Sequence, residues 1–159
     1  MMLNRGVTFS SKIQTMKKGK WIVDSCAFAL VFLFVYTATA KFLRIDIFAG
    51  QLERFPWISP MAKLMAWVVP AVEVVVALLL LTTRVRLKGF YAALTLMLVF
   101  TLYLALMLGS DKHLPCSCGG VISWMTWKEH LVFNLFFIGV ALAGLVYSSP
   151  KIKFYESKA

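Results

Sequence analysis

The sequence predicts an all-α integral membrane protein, a four-helix antiparallel bundle. Three observations predict it. The 159 residues are 60% hydrophobic with a mean hydropathy of +0.79, against about 45–50% apolar residues in a typical soluble domain. The apolar residues gather into four runs, each reaching or approaching the roughly 20 residues that cross a bilayer as a helix. The basic residues collect between the runs in a sided pattern. Backbone groups inside lipid must be satisfied internally, so the runs are expected to be helices.

The first span runs from Trp21 to Phe42. Ala38-Thr39-Ala40 near its end imitates a signal-peptide cleavage site. The apolar run before it, residues 21–40, is longer than the about 7–15 residues of a signal core, so the span is expected to be retained. The second span, Lys63 to Leu81, is entered through Pro60 and interrupted by Pro70. The third is Phe90 to Leu108, and the fourth is Leu131 to Tyr147, starting near Trp127. The domain reading is a flexible basic tail over 1–19, a transmembrane domain over 20–149 and a second tail over 150–159. No internal repeat or low-complexity run interrupts this plan.

Charge orients it. Arg5, Lys12, Lys17, Lys18 and Lys20 precede the first span. Arg84, Arg86 and Lys88 lie between the second and third spans, and Lys151, Lys153 and Lys158 follow the fourth. With four spans these eleven share one side, and the remaining six of the 17 basic residues lie opposite. The bias places both termini in the cytoplasm of a bacterial inner membrane. A net charge of +10 so distributed serves topology, and nucleic acid is not an expected partner. The lipid bilayer is. The first connection, Arg44 to Ser59, holds Phe48, Phe55, Pro56, Trp57 and Ile58, which suits a segment lying at the interface. The second, Thr82 to Lys88, suits a tight helix–helix turn.

Glu73 sits mid-span, three residues after Pro70. A carboxylate there marks a functional site or a buried pair. Side chains tilt toward the amino terminus of their own helix. Lys41 on the first span and Glu73 on the antiparallel second span therefore lean toward each other, and the pair is expected to face the bundle interior. Read blandly, it only fixes helix packing. His130 and Asn134, spaced i, i+4, share a face of the fourth span. Lys41, Glu73 and Asn134 are the candidates for holding a cofactor. Thr126 and Glu129 fit a capping box. Tyr36 and Tyr103 read as core or interface residues, Cys26 as a buried thiol, and Asp24 as an answer to the basic tail.

The stretch His113-Leu114-Pro115-Cys116-Ser117-Cys118-Gly119-Gly120 carries the exposed chemistry. By the charge bias it faces the oxidising periplasm. A disulfide between Cys116 and Cys118 closes a small, strained and easily reduced ring. Cys116, Cys118 and His130 are therefore the catalytic candidates, with His130 or His113 lowering a thiol pKa. The spacing fits no common zinc framework. Two thiolates with His113 suit Cu(I), and two inert cysteines remain the plain alternative. The loop, His113, His130 and Asn134 are expected to share one shallow mouth, roofed by Trp57, Trp124 and Trp127.

Several of these segments together resemble the MauE branch of the DoxX-like membrane proteins. They are Ala38-Thr39-Ala40-Lys41-Phe42, Phe48 with its aromatic connection, Pro70-Ala71-Val72-Glu73 and Cys116-Ser117-Cys118-Gly119-Gly120, within residues 21–148. The resemblance implies a four-helix membrane bundle linked to redox chemistry. Relatives serve disulfide formation in methylamine dehydrogenase maturation, or thiosulfate oxidation feeding quinone. Family members often carry an aromatic after the second cysteine, where this chain has Gly119. The leading expectation is a membrane thiol–disulfide redox protein that exchanges with a periplasmic thioredoxin-like partner. Onward electron transfer to a membrane quinone is compatible with this, although no sequence feature identifies a quinone site. The rival is a non-catalytic subunit or scaffold of a larger membrane complex.

Overall fold

The computed structural model describes residues 4–53, 59–108 and 127–148, and the side chains of residues 19–53, 59–106 and 129–148. Among the described residues five α-helices follow one another: α1 (Asn4–Leu43), α2 (Ile45–Leu52), α3 (Ala62–Leu81), α4 (Arg86–Leu108) and α5 (Trp127–Ser148). A single 3₁₀ turn, Ser59–Met61, leads into α3. No strand occurs among the described residues. Among the described residues four helices are long and apolar enough to cross a membrane, over Gly19–Leu43, Ser59–Leu81, Arg86–Leu106 and Glu129–Ser148.

α1 packs on α3 and α5, and α4 packs on the same two helices, so the four spans close into a ring of antiparallel neighbours. α1 begins and α5 ends at one face of the bundle, called here the terminal end. α2 lies at the other, the α2 end. At 40 residues, α1 is twice the roughly 20 needed to span. Its backbone is helical from Asn4, within the segment read from the sequence as a basic tail. No proline interrupts residues 4–20, and extending a helix already nucleated adds one hydrogen bond per residue fixed.

α2, which follows α1 after Arg44, makes the described beginning of the first connection an apolar helix. Its Phe48 and Leu52 are buried against Ala62 and Ala66 of α3. The second connection is a tight turn, with Val85 N–H donating to the Thr82 carbonyl at 3.1 Å. Thr82 closes α3 twice, by its N–H (3.1 Å) and its hydroxyl (3.0 Å), both to the Leu78 carbonyl. Arg86 Nε satisfies the Leu80 carbonyl at 3.0 Å. These bonds answer carbonyls that a helix end leaves without intrahelical partners. Within the spans, Thr39, Thr95, Thr101 and Ser148 donate to the carbonyl four residues back, so their hydroxyls enter the hydrocarbon already satisfied.

The main core lies toward the terminal end. It joins Leu30 and Phe34 of α1, Val76 and Leu80 of α3, Phe90 and Met97 of α4, and Ala141 of α5. Large apolar side chains also point outward, among them Phe28, Val75, Leu102 and Phe136. In water such a surface would aggregate; against lipid it is the ordinary finish of a spanning helix.

Candidate functional site

Between the main core and the α2 cluster lies a polar layer. Each spanning helix reaches it at one level: Thr37 and Lys41 on α1, Glu73 on α3, Phe100 and Thr101 on α4, and Asn134 on α5. Helix geometry sets this up. Going from the core toward the α2 end, α1 ascends from Phe34 to Lys41 while α3 is read backwards from Val76 to Glu73. Pro70, buried one turn nearer the α2 end, has no N–H to offer the Ala66 carbonyl.

Lys41 and Glu73 form a direct ion pair in the bundle interior, Lys41 Nζ donating to Glu73 Oε1. Glu73 is fully buried and Lys41 is 9% exposed. The expected pairing is thus present without a bridging group. Two aromatic faces complete the surroundings of the ammonium. The Phe100 ring centroid lies 4.7 Å from Lys41 Nζ, and that of Phe48, on α2, lies 5.7 Å away. Both fall within the about 6 Å over which a cation is attracted to a ring face. The second carboxylate oxygen, Glu73 Oε2, is buried with no hydrogen-bond partner among the described residues, and so is the Tyr36 hydroxyl. The Thr37 hydroxyl lies beside the carboxylate and is within donating distance of the Phe34 carbonyl, 3.3 Å away.

His130 and Asn134 are both buried, on the shared face expected of them. Asn134 Nδ2 reaches Thr101 Oγ1 at 3.5 Å, and Thr101 in turn donates to the Met97 carbonyl at 2.7 Å. Phe100 and Thr101 are consecutive, so α4 presents a ring to Lys41 and a hydroxyl to Asn134 from adjacent positions. His130 lies one turn closer to the start of α5. Cys116, Cys118, His113, Trp57, Trp124 and Thr126 lie outside the described residues, as does the side chain of Trp127. The shared mouth and the capping box rest on those positions. Among the described residues no three His, Cys, Asp or Glu groups converge as metal ligands would.

At the terminal end, Asp24 pairs with Arg86 of α4; the side chains of the basic tail before residue 19, which it was also read as answering, lie outside the described residues. Asp24 lies one turn into the span, and the turn after α3 brings Arg86 to the same level. Cys26 is a half-buried free thiol against the main core. Sequence reasoning did not single out Phe100 or Thr37, and it read Phe48 as part of an interfacial segment without pairing it with Lys41. The only available signal was that a buried ammonium seeks aromatic faces as well as a carboxylate.

Comparison with known proteins places these features in a family context. Residues 19–147 match the family described as methylamine utilisation protein MauE. The chain is 30% identical over 119 residues to the methylamine utilization protein MauE of Paracoccus denitrificans, an alignment that covers 70% of this chain. It spans 64% of the length of that relative. No solved structure matches.

Proposed function

The chain belongs to the MauE family, and from that premise we propose that it is a multi-pass membrane protein of a methylamine utilisation system that exchanges thiols and disulfides through Cys116 and Cys118. The observation that supports this reading is positional. α4 ends at Leu108 and α5 begins at Trp127, both at the α2 end. The cysteine pair belongs by chain order to the connection between them, and the two helix ends it joins lie at the end of the bundle nearer the polar layer. By the charge bias of the connections this end faces the periplasm, with both termini cytoplasmic.

The chemistry is a two-step exchange. A thiolate of a thioredoxin-like partner attacks one sulfur of the Cys116–Cys118 disulfide. The S–S bond breaks, a mixed disulfide forms and the other cysteine leaves as a thiolate. The partner's second thiol resolves the mixed disulfide. The partner is left oxidised, and Cys116 and Cys118 hold two electrons and two protons. When the disulfide is remade, His130 serves as the acceptor of the Cys118 proton and so frees its thiolate. A membrane quinone is the class of acceptor that would restore the disulfide.

The test is trapping in native membranes. In the reverse direction, the remaining thiolate of the Cys118→Ser variant, and separately of Cys116→Ser, should attack the disulfide of the oxidised partner and capture it as a mixed disulfide. Thiol-trapping mass shifts should show the wild-type pair cycling between oxidised and reduced forms. If neither variant traps a partner and the double variant keeps full activity, the cysteine reading fails and a scaffolding role takes its place. Alkylation rate against pH in His130→Ala isolates the proton acceptor, since an unchanged thiol pKa removes His130 from the mechanism.

A further inference from the structure

We propose that Glu73, Phe48 and Phe100 form a recognition site for a small primary alkylammonium ion, with the Lys41 ammonium as its tethered resident. The site has the parts that such recognition needs. A fully buried carboxylate supplies the counter-charge, and two ring faces at 4.7 and 5.7 Å supply the apolar walls. Aromatic faces of this kind hold ammonium groups by their quadrupoles. The last carbon and nitrogen of Lys41 are themselves a methylammonium group. A free methylammonium ion therefore fits the space that this end of the lysine fills.

Exchange of resident for ligand is electrostatically balanced. A cation entering as Lys41 withdraws leaves Glu73 paired throughout. A neutral or anionic ligand would strand a buried carboxylate, which is strongly destabilising. Lys41 also has somewhere to go. It lies in the last turn of α1, and long lysine stems readily carry their charge to the membrane surface. The ligand has something to gain. Lys41 engages Oε1, whereas Oε2 has no partner among the described residues. An ammonium freed of its stem can place its donors on both oxygens. Phe48 belongs to α2, so arrival and departure take place beneath a short helix at the membrane boundary. This site is independent of the cysteine pair: variants of Cys116 and Cys118 should bind the ion unchanged, and failure of either proposal leaves the other standing.

The experiment uses the full chain in lipid nanodiscs titrated with methylammonium chloride, with sodium chloride, tetraethylammonium chloride and methanol as controls. Methylammonium alone should raise the unfolding temperature of the wild type saturably. Lys41→Ala, freed of the resident, should bind it about tenfold more tightly or better, because competition from an occupied state is removed. Glu73→Gln should lose the response, and Phe100→Leu should weaken it. In the wild type, methylammonium should also increase acylation of the Lys41 amine relative to exposed Lys63, a ratio that is independent of reagent consumed by methylamine itself and needs no variant to fold. If Lys41→Ala responds and the wild type shows neither stabilisation nor increased Lys41 labelling, Lys41 is a permanent structural partner and the proposal is overturned. If neither protein responds, the site does not recognise ammonium ions.

Discussion

At the terminal end of the bundle the helices close over glycines, and toward the α2 end the same helices meet through charge. A Cβ on Gly144 of α5 would lie 2.2 Å from the Phe90 ring of α4, and one on Gly89 would lie 2.9 Å from the Leu80 backbone nitrogen of α3. Those contacts are steric and apolar. The Arg86–Asp24 pair sits beside them with Asp24 largely in the open, its side chain 43% exposed. Across the bundle, Lys41 and Glu73 carry opposite charges at 10% and 0% side-chain exposure. The difference teaches where each kind of contact has force. Packing tolerates no added atom where backbones approach closely, and charge dominates only where water is excluded.

The largest expected effect breaks the polar layer. Glu73→Ala should lower unfolding stability by up to about 3–5 kcal/mol, because Lys41 must either stay buried uncompensated or leave the packed layer for the membrane surface. Denaturant unfolding in a membrane mimetic measures it. Replacing both partners, as Lys41→Met with Glu73→Leu, should recover most of that loss, since apolar substitution of a whole buried pair is often neutral. A double variant as unstable as Glu73→Ala would mean that the pair does more than neutralise itself.

Next comes the steric end. Gly144→Ala should destabilise by about 1–3 kcal/mol through overpacking against Phe90. The second-site change Phe90→Leu should relieve it, and thermal unfolding of the single and double variants reads the coupling. If Gly144→Ala is silent, the two helices are not in steric contact there. Smaller again is the exposed pair. Asp24→Asn should shift stability by less than about 1 kcal/mol and lose even that in high salt. Arg86→Met should cost more than Asp24→Asn, because it also uncaps the Leu80 carbonyl. The smallest effect is Asn134→Ala, about 0.6 kcal/mol, typical of an interhelical hydrogen bond in a membrane protein and consistent with a 3.5 Å contact.

How legible each feature was follows from how strongly physics constrains it. The four spans could be read directly, because a bilayer demands long apolar runs and leaves few alternatives. Lys41 and Glu73 could be matched before any coordinates, because a carboxylate in hydrocarbon must find a donor and the helix tilt named which one. Phe48 and Phe100 could not. They are two of 13 phenylalanines, and no periodic mark separates a ring that faces an ammonium from one that faces lipid. The partner of Asp24 was missed for a different reason. Its choice depends on how far the turn after Leu81 carries Arg86, which is a matter of tertiary register. Gly144 and Phe90 are 54 positions apart in the chain, so their contact leaves no local trace. For the cysteine pair, chain order settles only which helices it connects.

The ion pair also bears on how the protein is made. A charged side chain at the bilayer centre costs about 2.5–3.5 kcal/mol on insertion scales, and Glu73 lies midway along α3. α3 released alone into lipid would carry that penalty unanswered. Lys41, which answers it, belongs to a helix synthesised earlier, with α2 and the rest of the first connection between them. Biogenesis therefore favours α1 lingering beside the insertion machinery until α3 arrives, so that the two helices leave it as a neutral pair. A lysine and a glutamate 32 residues apart thus set a timing requirement on synthesis as well as a contact in the finished bundle.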